Sequence, residues 1–428
     1  MKSLDELRLD DFRLNLKGRS LVPVMQGGMG VNISTAEMAQ AVAARGGIGH
    51  VSDAMIPDLA DRLFGTGFTR MKTIPCKKIE KTMGQAGFLF PVDKIREAAK
   101  LYLGSVMEGK KGEGLIHVNV MEKLTMNSGL ETLKARLLGA LDAGIDGISL
   151  SAGLHTSSFA LMSEHPRFRD ACLGVVVSSR RALNLFLRKS AKTERLPDYI
   201  VVEGPLAGGH LGFGMDWANF SLPDIVRDVK AYLAENKLSI PVLAAGGVFT
   251  GTDGVRMMQE AGADGIQAAT RFAVTKESGL PDDVKQQYFN ARAEDIEVNG
   301  ISPTGYPMRM LKSAARISRP GARPRLRERR RTASGRRPAF ARRCAAHASG
   351  RSVRTGQGSR RRGSGMPRAG GCFRRRRRCS TTTVSAWRTR CMPDGMDAVH
   401  RGARSVRTKG EQMYPCGRES YKTHAKSI

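Results

Sequence analysis

The chain has 428 residues and a formal charge of +30, but that charge is concentrated in one part of it. Residues 321–428 hold 27 Arg, 3 Lys and 5 acidic side chains, against 21 Arg, 19 Lys and 35 acidic ones in residues 1–320. The body therefore has the balance of an ordinary soluble domain, which excludes a polycationic protein throughout. The basic segment carries only one Leu, one Ile and four Val in 108 residues, too little apolar surface to offset an ordering cost of roughly 1–2 kcal/mol per residue.

The N-terminus, with Asp5, Glu6, Arg8, Asp10 and Asp11, lacks the apolar segment of a signal peptide. No apolar run approaches the roughly 20 residues that span a bilayer. A cytoplasmic protein without membrane partners is expected, and Cys76 and Cys172 as the body's only cysteines fit a reducing compartment. The spacings of Cys344, Cys372, Cys379, Cys391 and Cys416 match no zinc template, so no metal is expected.

In chain order, apolar runs predict strands over 21–27, 47–52, 115–121, 147–152, 173–178, 199–203, 240–245 and 265–269. Between most of them lies helical periodicity, as in Ala36–Ala43, in Leu133, Leu137, Leu138 and Leu141, and in Ile225, Val226, Val229 and Leu233. Val- and Ile-rich strands without polar alternation are buried on both faces, as in a parallel sheet. Helices end in Gly46, Gly144 and Gly262, where a left-handed cap is expected. Eight strands with intervening helices match a (β/α)8 TIM barrel. An open doubly wound sheet is the alternative, but no GxGxxG follows the first strand.

Residues 65–90, which carry Gly, Pro and Lys, break the rhythm and read as an insertion or lid after strand 2. The barrel domain is placed at 1–313, and 314–428 is read as a disordered basic tail. Two readings of the tail stand. Arg325–Arg331 and Arg374–Arg378 would bind nucleic acid non-specifically, or the segment is an out-of-frame translation of a GC-rich gene.

Barrel chemistry sits at the C-terminal ends of the strands, with phosphate often held after strands 7 and 8. Those ends read Gln26-Gly27-Gly28-Met29, Ser52, Asn119, Ser151-Ala152-Gly153, Glu203 to His210, Gly246-Gly247 and Ala269-Thr270-Arg271. The glycines and Thr270 could form an anion nest. Asn119 in a buried strand needs a polar partner, and an unpaired Glu203 at the end of one is costly. His210 is the leading imidazole for proton work. His155 is a second candidate, and His50 and His117, inside apolar runs, read as satisfied core or rim residues.

Pro23-Val24-Met25-Gln26-Gly27-Gly28-Met29, Val118-Asn119-Val120, Glu203-Gly204 through Ala207-Gly208-Gly209-His210-Leu211-Gly212, Ala244-Ala245-Gly246-Gly247, Thr270-Arg271-Phe272 and Ser302-Pro303-Thr304-Gly305-Tyr306-Pro307 together resemble one superfamily. It is the flavin-dependent group of nitronate monooxygenases and type II enoyl-acyl carrier protein reductases. The resemblance spans roughly 20–313 and implies a TIM barrel that binds FMN non-covalently. By position, Met25, Gln26, Gly27 and Gly28 would pass beside the flavin ring, and Asn119 would meet its polar atoms. Gly208, Gly209, Gly246, Gly247, Ala269 and Thr270 would cradle the ribityl phosphate.

His210 would hydrogen-bond charge developing on a nitronate or an enoyl thioester, and Glu203 would position the loop or bind a cation. The co-substrate would be O2 or NAD(P)H. Two departures stand out. The best-known bacterial class has a further histidine at the end of strand 5, where this chain reads Val176-Val177-Ser178-Ser179. Ala269 occupies a position usually held by glycine.

Overall fold

A computed structural model describes residues 6–69, 91–122, 129–302 and 305–313. Most of the expected 65–90 insertion, Cys76 and the whole expected 314–428 basic tail lie outside the described residues. The described residues all belong to a unit spanning Met1–Arg325.

The chain opens with an antiparallel hairpin, β1 (Leu14–Leu16) and β2 (Arg19–Leu21), joined at Lys17 and Gly18, both with positive φ. Eight parallel strands follow: β3 (Val24–Gln26), β4 (Ile48–Ser52), β5 (Leu115–Met121), β6 (Gly147–Ser151), β7 (Cys172–Val177), β8 (Tyr199–Glu203), β10 (Val242–Ala245) and β11 (Gly265–Ala268). They close in sequence order, with β11 pairing back to β3. The expected TIM barrel is observed, strand for strand. One expected span is divided: in 21–27, Leu21 belongs to the hairpin and Pro23, which has no N–H to donate, separates it from β3.

Alternation along the strands sorts the core into two clusters. Ile116, Val118, Val120, Ile148, Leu150, Ile200 and Val202 face outward onto helical residues such as Leu103, Leu133, Leu137 and Val226. Met25, Ile48, Leu115, Cys172, Tyr199, Val201, Leu243 and Ala245 face inward, together with Leu14, Leu16 and Leu21. Ile48, Leu115, Cys172 and Tyr199 are first residues of their strands, so the hairpin plugs the N-terminal end of the barrel. Only the opposite end remains for a ligand. The helix-end glycines take the expected conformation, with φ +79 at Gly46, +76 at Gly144 and +74 at Gly262.

A second sheet was not expected from the sequence. β9 (Gly209–His210), β12 (Ile296–Asn299) and β13 (Met308–Leu311) form an antiparallel three-stranded sheet, ordered β12-β13-β9. It brings the segment after the barrel back over the β8 loop, with Met308 opposite His210 and Arg309 opposite Gly209. Among the described residues, no helix is long and apolar enough to cross a membrane.

Candidate active site

The side-chain alternation that puts Val201 inside and Val202 outside turns Glu203, the last residue of β8, toward the barrel axis. Its carboxyl is partly buried, and no hydrogen bond or ion pair reaches it among the described residues. Burial alone pushes its pKa from 4.5 up to about 7. The chain then turns through Gly204, whose N–H donates to the Ala245 carbonyl at 2.8 Å, and reaches Gly208 and Gly209. A Cβ at either glycine would meet nothing within 4 Å.

His210 follows, half-buried, with its pKa lowered by desolvation. Three contacts hold its loop. Leu211 N–H donates to the Pro307 carbonyl at 2.8 Å, Ser178 Oγ–H donates to the Gly212 carbonyl at 3.0 Å, and His210 Nε2 lies 2.8 Å from Ser302 Oγ. Thus Ser178, just past the end of β7, the fifth barrel strand, where the resemblance would place a histidine, anchors the His210 loop. Ser302 and Arg309 belong to the site although sequence reasoning gave them no role. Arg309 donates to the Pro205 carbonyl at 3.1 Å and lies 4.2 Å over the Trp217 ring.

Next to this loop, Gly246 and Gly247 end β10 with φ +89 and +93, a conformation that side chains rarely adopt. Among the described residues, neither N–H meets a backbone carbonyl. A cleft of about 380 Å³ opens beside them, lined in part by Leu206, Trp217, Phe220 and Arg256. Ala269 and Thr270, past the end of β11, are exposed. Arg271 stacks 4.7 Å over Phe249 rather than standing clear in the mouth.

Across the mouth, Gly27 N–H donates to the Ala268 carbonyl at 2.8 Å, continuing the barrel pairing. A Cβ at Gly27 would lie 3.1 Å from Ala269 Cβ, and one at Gly28 only 2.1 Å from Asn119 Cβ. Ala269 therefore leaves little room for a side chain at Gly27. Asn119 is buried, with Nδ2 directed at the Gly28 carbonyl at 3.4 Å. Gln26 is wholly buried and Met25 belongs to the inner core, so these two support the turn and Gly27 and Gly28 form its surface.

The remaining histidines sort differently. His155 is buried, with its ring on Ser158 Oγ at 2.8 Å and the Ser151 carbonyl at 2.7 Å, which is a structural role. His50 is fully satisfied, as expected. His117 departs from that expectation: its Nε2 is buried without a partner. Among the described residues no cluster of three or more His, Cys, Asp or Glu could hold a metal ion.

Comparisons with known proteins identify the family. The model of the nitronate monooxygenase family matches residues 106–361, a range that continues past the described residues. A probable nitronate monooxygenase of Staphylococcus haemolyticus is 26% identical over 291 residues, 65% of this chain and 72% of that protein. The (3aS,4S,5R,7aS)-5-hydroxy-7a-methyl-1-oxo-octahydro-1H-indene-4-carboxyl-CoA dehydrogenase of Mycobacterium tuberculosis is 32% identical over 179 residues, 41% of this chain and 46% of that one. Among solved structures, FabK from Thermotoga maritima aligns with a TM-score of 0.46 at 20% identity, covering 68% of this chain and 70% of its own.

Proposed function

Because the chain belongs to the nitronate monooxygenase family, we propose that it is an FMN-dependent oxidoreductase that oxidises small alkyl nitronates, with O2 as the flavin reoxidant. The observation that supports this most is the Gly208-Gly209-His210 loop. It leaves open space over both glycines while Ser302 and β13 hold the imidazole in place.

The residues present suit the cofactor. The N–H groups of Gly246 and Gly247, in the left-handed region and without carbonyl acceptors, form a nest for a phosphate dianion. Ala269, Thr270 and the Gly208–Gly209 turn would complete it. Gly27 and Gly28 would pass along the ring, Gln26 and Met25 would support them, and Asn119 would offer its amide. Glu203 would face the same space. The flavin would supply the two-electron chemistry, and the protein would orient the substrate against it.

His210 is neutral at pH 7, because burial lowers its pKa. A neutral imidazole donates from one ring nitrogen and accepts at the other. The Ser302 hydroxyl, 2.8 Å away, can donate to Nε2 and so leave Nδ1–H to hydrogen-bond a nitro oxygen. An anionic nitronate is already deprotonated and needs no further base.

A second reading is an NAD(P)H-dependent enoyl-thioester reductase, with His210 polarising the carbonyl. It is favoured by the strand-5 end, where Ser178 is engaged with the Gly212 carbonyl and no histidine stands. The M. tuberculosis relative is named for a CoA-linked substrate. Anaerobic stopped-flow reduction separates the two. Bleaching by propyl nitronate supports the first, rapid bleaching by NAD(P)H the second, and no flavin absorbance at all sinks both. His210→Ala should retain flavin and lose roughly 10²–10³-fold in kcat/KM, the scale of one removed donor to developing charge.

A further inference from the structure

Below the mouth, four polar side chains cross the barrel interior: His50 on β4, His117 on β5, Ser149 on β6 and Tyr199 on β8, each no more than 1% exposed. His50 Nδ1 lies 2.5 Å from the Gln26 main-chain carbonyl. A carbonyl only accepts, so Nδ1 carries the hydrogen and the neutral ring accepts at Nε2. Burial keeps the ring neutral, lowering its pKa to about 4.

The rest of the chain of hydrogens follows from that one carbonyl. Ser149 Oγ–H donates to His50 Nε2. Ser149 Oγ then accepts from Tyr199 O–H at 2.5 Å. Tyr199 in turn accepts from His117 Nδ1–H at 3.0 Å. What remains at the far end is the His117 Nε2 lone pair, packed where a Cβ on Gly147 would lie 2.5 Å away. An orphaned acceptor is the cheaper way to end such a chain than an orphaned N–H.

At its upper end the network grips the first-strand turn twice. Besides the Nδ1–H bond to the Gln26 carbonyl, the His50 main-chain N–H donates to Gln26 Oε1 at 2.7 Å. Gln26 Nε2 then donates to Ser34 Oγ at 2.7 Å. Ser34 Oγ–H donates to the Gly27 carbonyl at 3.0 Å and accepts from Met29 N–H at 2.8 Å. The peptide planes of Gln26–Gly28 are thus set from inside the barrel.

We propose that His50 is a positioning residue, which fixes the Gln26–Gly28 turn through its Nδ1–H tautomer and so presets the backbone that a ligand in the mouth meets. That the ligand is a flavin rests on the function proposed above, whereas the ordering of the turn does not.

The test uses the full chain in two arms. In the first, amide exchange and FMN binding are measured for wild type, His50→Leu and His50→Asn, the last keeping a donor near the Nδ1 position. The expected result for His50→Leu is about tenfold faster exchange across residues 26–29, unchanged exchange in β10 and β11, and FMN binding weaker by about tenfold, near the upper end for one lost hydrogen bond. The flavin absorption bands should shift with it, and His50→Asn should stay within about threefold of wild type.

Wild-type exchange and FMN affinity in His50→Leu would overturn the proposal, as would faster exchange spread evenly over the barrel. Should wild type bind no FMN, the flavin reading fails and the exchange data alone decide the role of His50. The second arm reads the ring nitrogens of His50 by ¹⁵N NMR in the unaltered protein, so it holds even where His50→Leu does not fold. A protonated Nδ1 is required, and a protonated Nε2 refutes the proposal.

Discussion

Replacing Glu203 by Gln should stabilise the cofactor-free protein at pH 8 and leave it unchanged near pH 4.5. The carboxyl at the end of β8 faces the barrel axis without a partner among the described residues, and burial raises its pKa from 4.5 to about 7. Below pH 4.5 the group is protonated in both folded and unfolded chains and contributes no difference. Between 4.5 and 7 the unfolded chain ionises first, so native stability falls as pH rises; above 7 the full penalty is present.

At about 1.36 kcal/mol per pKa unit, the penalty has an upper bound of about 3 kcal/mol, and partial exposure of the side chain reduces it. Gln keeps the shape and removes the charge. The expected gain at pH 8 is therefore about 1–3 kcal/mol, or a few degrees in Tm for a domain of this size. Denaturant unfolding at pH 5 and pH 8 measures it, and a ¹³C titration of the Glu203 carboxyl supplies the midpoint. A midpoint near 4.5, or a gain that is the same at both pH values, would refute the reasoning.

Two other outcomes follow from packing and from buried charge. Gly28→Ala places a Cβ 2.1 Å from Asn119 Cβ, a clash that a flexible side-chain tip cannot relieve. The variant should fold, lose about 1–3 kcal/mol, and bind FMN at least tenfold more weakly by fluorescence titration. Asp53→Asn removes the counter-charge of Arg136, whose Nη1 bonds Asp53 and the Met121 carbonyl in the interior. Leaving that guanidinium uncompensated should cost about 3–5 kcal/mol in chemical denaturation.

The eight barrel strands were legible because they are buried on both faces and so appear in the sequence as mainly apolar runs, as in Tyr199–Val202. The strand-end glycines and His210 were legible for a related reason: in a parallel barrel, the residue after each run must lie at the mouth. The N-terminal hairpin also carries a signal in the sequence. Leu14, Asn15 and Leu16 alternate before a Lys17–Gly18 turn whose two positive φ values suit a tight hairpin. The β12–β13 pair carried almost none. Ile296-Glu297-Val298-Asn299 and Met308-Arg309-Met310 alternate over only three or four residues, and the partner strand β9 is only two residues long.

His50 and His117 expose the limit of reading strands one at a time. In its own run each is an isolated polar residue whose partner the local sequence does not specify. Their partners are Gln26, Ser149 and Tyr199, between 24 and 99 residues away in sequence, and barrel closure alone brings these side chains together. The same closure makes the order of hydrogens determinate, since one main-chain carbonyl at the top fixes every donor beneath it. A polar interior would be expensive if any donor were left unmade. Here the single unmet atom is an acceptor at the end of the chain of hydrogen bonds opposite Gln26, so the network can hold the first-strand turn without an orphaned N–H among its members.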